Sequence, residues 1–183
     1  MQRHGSDGGS AVTRVRVAGG VLLVAHLALV AWITLRPLDV PWVSAANLRP
    51  FAGIRADLAL DPETAIRRIA AGLGLLAPLG VLLPMAAGRL AVSPLGSLLR
   101  TITAGALLSL GIELLQTGVP GQVVDIDSIT LNTLGVALAH LAIVPAARVR
   151  LRRRAETRRR AAVLREDPAQ GRTPTIPRVG IAP

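Results

Sequence analysis

The chain has 183 residues, of which 51% are hydrophobic, and a formal net charge of +10. Apolar runs of about nineteen residues recur along it, which a soluble domain of this length does not carry; it therefore reads as an integral membrane protein. The absence of cysteine excludes a disulfide, a thiol nucleophile and a thiolate metal site, and the three histidines lack HExxH-type spacing.

Residues 1–16 are polar, glycine-rich and basic (Arg3, Arg14, Arg16) and read as a short disordered cytosolic leader. Residues 17–35 are long enough for a first span. The run is too long for the apolar part of a cleaved signal peptide and no small-x-small site precedes Arg36, so a retained anchor is expected. Trp32 suits an interfacial belt. His26 falls near mid-bilayer, where an ionisable residue is a functional candidate; a neutral imidazole bonded to a neighbouring helix is the commoner arrangement. Residues 36–60 form an irregular loop, because Pro37, Pro41 and Pro50 remove donors and bias their predecessors away from helix. Trp42 and Phe51 are its headgroup anchors, and Asp39, Asn47, Arg49, Arg55 and Asp57 its polar points.

Asp61-Pro62-Glu63 is a helix start, with Asp as the cap, Pro in the first turn and Glu favoured by the dipole. The helix runs past Arg67 and Arg68 into a second span over 69–85, which Pro78 is expected to kink. Gly72, Gly74 and Gly80 permit close helix contact. A connector over 86–97 carries Arg89 and S-P-L-G, and a third span covers 98–117, with Arg100 at its inner edge. Ser109, Glu113 and Gln116 stand at i, i+4 and i+7 and share one face. The turn-rich T-G-V-P-G-Q leads to a fourth span over 128–147, with Asp127 or Ser128 as its expected cap. Asn132, Gly135 and Ala139 make a small, polar stripe suited to helix packing, with His140 deeper. From Arg148 the chain is Arg-rich, helical to about residue 165 and disordered beyond, where Pro168, Pro174, Pro177 and Pro183 fall. Such a tail is expected to lie on anionic lipid headgroups. Nucleic acid is not an expected partner, since no aromatic or fold motif accompanies the charge.

The polar groups concentrate in S-L-G-I-E-L-L-Q (109–116), D-I-D (125–127) and N-T-L-G (132–135), with N-L-R-P-F (47–51) and P-L-G-V-L-L-P (78–84) upstream. In order and spacing, over about residues 17–147, these pieces resemble the VanZ-like family, named for a protein linked to teicoplanin resistance. The pattern departs from the family at Gln122, where Arg is usual, at Ser128, where an acid is usual, and at Gly72 and Leu73, where a polar residue often stands. The resemblance implies a role in antibiotic susceptibility at the cell envelope. It also implies that the 36–60 loop folds over the mouth of the bundle.

The expected fold is therefore all-α: a membrane bundle of four transmembrane helices over 17–147, between the leader and an Arg-rich cytosolic tail over 148–183. With the N-terminus inside, three Arg in the leader, Arg89, Arg100 and eleven Arg in the tail lie on the cytosolic side, against five between residues 36 and 68 outside. This is the positive-inside pattern of a multi-pass cell-membrane protein with both termini cytoplasmic. Glu113, Gln116, Asp125, Asp127 and Asn132 then gather at the outer mouth with Asn47 and Arg49, and these seven are the ligand-binding candidates. Helix geometry brings Glu113 and Asn132 to similar depths, and a carboxylate near the bilayer is expected to turn inward. The first functional expectation is a protein that binds or modulates an envelope component: a cell-wall precursor, a lipid head or a glycopeptide. The second is an intramembrane hydrolase or transferase acting on a lipid-linked substrate, with Glu113 as general base and Asp125 and Asp127 holding a divalent ion. The third is a small scaffold whose polar cluster locks the bundle. No cofactor and no resident metal is read from the sequence.

Overall fold

A computed structural model describes residues 6–39, 45–88 and 93–166. Trp42, Arg89 and the proline-rich end from Pro168 lie outside the described residues. The architecture is all-α, with six helices among the described residues: α1 (Ser6–Thr34), α2 (Ala52–Leu58), α3 (Pro62–Leu76), α4 (Leu79–Ala87), α5 (Pro94–Gln116) and α6 (Ile126–Glu166). Four helical stretches are long and apolar enough to cross a membrane: Thr13–Thr34, Pro62–Ala87, Pro94–Gln116 and Ile126–Thr157. The shortest has 22 residues, about 33 Å at 1.5 Å per residue, against a hydrocarbon core of about 30 Å. The chain is a multi-pass membrane protein. Large side chains such as Trp32, Leu95 and Leu99 stand exposed on the helices, as lipid-facing residues do.

Several boundaries differ from those the sequence suggests, each for a local reason. Residues 6–16 continue α1 as helix rather than forming a disordered leader; they contain no proline, and the helix already formed by the following apolar run extends at little cost. The loop over 36–60 contains α2. Pro78 does more than kink the second span. It separates α3 from α4 through a turn at Ala77 and Pro78, since it has no N–H to carry the ladder across. The third span begins earlier than expected. Ser93 is an N-cap whose Oγ accepts from the Gly96 N–H at 3.2 Å, with Pro94 in the first turn, so S-P-L-G is a helix start and not a connector. Asp61 caps α3 as read, its carboxylate accepting from the Thr64 N–H at 3.0 Å. That bond holds the Asp61 carboxyl below its usual range.

The compact unit that ends at Pro145 contains the spans' packing. Its core joins all of them: Val30 from α1, Leu76 and Leu79 on either side of the turn, Val136 from α6, and Leu108 and Ile112 from α5. Two crossings are close enough to exclude a side chain. A Cβ on Gly80 would meet the Val136 carbonyl, and one on Gly135 would meet the Leu73 carbonyl. At the first crossing the His140 Nδ1–H donates to the Gly80 carbonyl at 3.0 Å, so His140 is committed to α4. His26 Nε2 is buried without a partner. From Ala146 the chain belongs to a second unit. Within it the helical Arg-rich segment carries exposed Arg150, Arg152, Arg153 and Arg154.

Candidate functional site

The polar end of the first unit is built around one carboxylate. Asp127, in the first turn of α6, is 2% exposed. Its Oδ1 accepts from the Phe51 N–H at 2.6 Å. Its Oδ2 accepts from the N–H groups of Gly53 (2.7 Å) and Ile54 (3.2 Å) and from Asn47 Nδ2 (3.1 Å). Asp127 therefore does not cap its own helix, as the sequence suggests. It caps α2, satisfying donors that a short helix leaves open. Gly53 allows the approach, because a Cβ there would lie 3.1 Å from Oδ2. Phe51 is held at φ 66, a left-handed conformation that costs a non-glycine residue of order 1–3 kcal/mol and that the bonds to Asp127 help to maintain.

Asp125 takes the capping role. Its Oδ1 accepts from the Asp127 N–H at 2.9 Å, at the start of α6, and from Asn47 Nδ2 at 2.8 Å. The loop is registered on this turn by a short parallel bridge: the Asn47 N–H donates to the Val124 carbonyl and the Ile126 N–H to the Asn47 carbonyl, at 3.0 and 3.1 Å. Glu113, 4% exposed on α5, accepts from the Asp125 N–H at 2.8 Å. One turn below, Asn132 Nδ2 donates to Ser109 Oγ at 2.9 Å, both groups buried. At the rim, Gln116 Nε2 donates to the Thr34 carbonyl at 3.0 Å and the Leu38 N–H to the Pro120 carbonyl at 3.1 Å, tying the end of α1 to the α5–α6 turn.

These elements surround an open cleft of about 580 Å³. Glu113, Gln116, Asp125, Asp127 and Asn132 all line it, with Leu75, Ile112 and Leu131 as apolar wall. With the cleft described, the comparison with known families is direct: the VanZ/LLP1 family model matches residues 23–148. The chain belongs to the VanZ/LLP1 family. No curated protein and no solved structure matches it. The VanZ/LLP1 match takes in the second and third spans whole, parts of the first and fourth, and every residue of the cleft named above.

Of the seven candidates, five line the cleft. Asn47 joins them by hydrogen bonds from outside its wall. Arg49 does not join: it is exposed and outside the lining, and its backbone N–H donates to Asn47 Oδ1 at 3.3 Å. The cation at the mouth is Arg68 instead, paired with Asp57 at 3.0 Å. The sequence carries a signal for this pair that position alone hides. A reversal at Asp61 folds α3 back along α2 and sets residues 57 and 68 side by side. The side chain is well exposed, so the ion pair contributes about 0–1 kcal/mol to stability and leaves Arg68 with donors to spare. Among the described residues no three His, Asp or Glu side chains are grouped to hold a metal ion.

Proposed function

We propose that this VanZ/LLP1 membrane protein binds the polar head of an envelope amphiphile in the cleft between α3, α5 and α6, and that the cleft opens on the outer face of the cell membrane. One observation supports this above the others: buried Glu113 and Asn132 stand beside an apolar wall in a cavity of about 580 Å³, the size and mixed lining typical of small-molecule sites. Cell-wall precursors, lipids and glycopeptides all present such heads on that side. The Arg distribution supports the orientation, with both termini cytoplasmic. The Arg-rich segment after Ala146 would then lie on anionic headgroups of the inner leaflet.

The scaffold reading draws support from a different observation, the commitment of Asp125 and Asp127 to the loop. The same commitment counts against the metal-dependent hydrolase. Each carboxylate already accepts from N–H donors of the loop and turn, and the two share the Asn47 amide between them. The test is a deletion strain complemented with the natural protein or with Glu113→Gln, followed by lipid analysis and glycopeptide susceptibility. A phenotype restored only by the natural protein is the expected result. Full restoration by Glu113→Gln, with both proteins at equal abundance, would leave the scaffold reading ahead.

A further inference from the structure

We infer that the head held in the cleft carries a protonated amine, seated against Glu113 and Asn132, with an anionic group such as a phosphate beside it at Arg68. This rests on the amphiphile-binding reading above. Among the described residues the lining holds four carboxylates, Asp57, Glu113, Asp125 and Asp127, against one guanidinium. Asp57 has Arg68 as its partner. Asp127 is surrounded by three backbone N–H groups and Asn47, and Asp125 takes two N–H donors on one oxygen. Glu113 has the Asp125 N–H and the neighbouring Ser128 hydroxyl, and no cation among the described residues reaches it.

A buried carboxylate without a cation is costly, and a well-placed positive charge relieves it. A second group in the same wall also waits for a donor. Asn132 is 4% exposed, its Nδ2 is given to Ser109, and its Oδ1 is buried with no partner. A primary ammonium suits acceptors of both kinds, since it brings a charge and three N–H donors. A choline head brings charge but no N–H, and among the described residues no aromatic side chain lines the cleft to hold it by cation–π contact. A hydroxyl head brings no charge, and an anionic head meets carboxylates. Only one guanidinium nitrogen of Arg68 is bonded to Asp57, so its remaining donors suit a phosphate at the mouth.

The test is native mass spectrometry of the purified full-length protein with phosphatidylethanolamine, phosphatidylcholine and phosphatidylglycerol of identical chains. The ethanolamine lipid is expected to be retained about tenfold more tightly than the other two, as loss of a charge-assisted hydrogen bond implies. In Glu113→Gln the preference is expected to fall to about twofold or less. Glycerophosphoethanolamine, the same head without chains, distinguishes the source. Weak competition supports a lipid, and competition as strong as the lipid's supports a soluble amine; either supports an ammonium at Glu113. Equal retention of all three lipids by the natural protein, or a preference for phosphatidylglycerol, overturns the ammonium assignment and leaves amphiphile binding standing. Retention of no amphiphile at all overturns both. The comparison among lipids is made on the natural protein, so it holds even if the variant fails to fold.

Discussion

The bundle is joined in two different ways at two depths. Midway along the spans, α6 meets α3 and α4 through glycine, with backbone against backbone at Gly80 and Gly135. At the polar end the same helix holds the loop through the carboxylate of Asp127. The deep joint has no room for an added atom, and the polar joint has no replacement for a lost oxygen. Contact through small residues suits a medium in which apolar side chains gain nothing by hiding from lipid. Charge-assisted bonds to backbone N–H suit the edge, where a loop must be fixed without a core of its own.

The largest effect is expected at the deep joint. Gly135→Leu should cost about 3 kcal/mol or more, the upper end of overpacking penalties, because the added atoms meet the Leu73 backbone and not a flexible side chain. Loss of folded protein on thermal melting in detergent is the readout. Gly74→Ala sharpens the contrast. A Cβ there meets nothing within 4 Å, so stability should change by no more than about 0.5 kcal/mol or rise slightly.

At the polar joint, Asp127→Ala should cost about 2–3 kcal/mol by leaving backbone donors of α2 unpaired. It should also release the loop over 45–60 to limited proteolysis while the spans stay assembled. Asp127→Asn should be intermediate, at about 1–2 kcal/mol. Asn caps its own helix as well as Asp does, but here both oxygens are in use, and an amide turns an NH₂ toward one set of donors. Equal stability of the Asn variant and the natural protein would show that one oxygen suffices. Glu113→Gln should change stability by less than about 1 kcal/mol, since the amide oxygen still accepts from the Asp125 N–H, and its effect should fall on binding.

The smallest effect lies outside both joints, at the Asp61 cap. The Thr64 N–H holds its carboxyl below the usual value, so its stabilisation is complete above the unfolded-state pKa and is lost as pH falls through the lower folded value. Protection of the Thr64 amide, its intrinsic exchange rate relative to the observed one, should therefore fall at acid pH. Asp61→Asn should remove that dependence while keeping the cap.

The spans were legible because each needs only length and apolarity, and the cleft residues because carboxylates and amides are scarce in apolar runs. Helix periodicity alone puts Ser109, Glu113 and Gln116 on one face, and Ser109 and Glu113 are indeed buried. The partner of Asp127 was not legible. A local cap and a cap on a helix far back in the chain use the same residue type, and only the fold separates them. Arg49 and Arg68 were exchanged for a related reason. Arg49 stands out in the sequence as part of N-L-R-P-F, whereas the reversal at Asp61 brings Arg68 to the mouth. The turn at Pro78 was half visible: the missing N–H is written in the sequence, but whether a helix bends or breaks there depends on the packing of Leu76 and Leu79 around it.

The Asp127 anchor also orders events in time. Phe51 and Asp127 are 76 positions apart, so at about 5–20 residues per second the loop waits roughly 4–15 s during synthesis before its partner exists. A seven-residue helix is too short to persist alone in water. Through that interval the segment stays without its helix while the second and third spans are laid down. The cleft consequently forms late, and a chain stalled before the fourth span is expected to have its first three spans but no binding site.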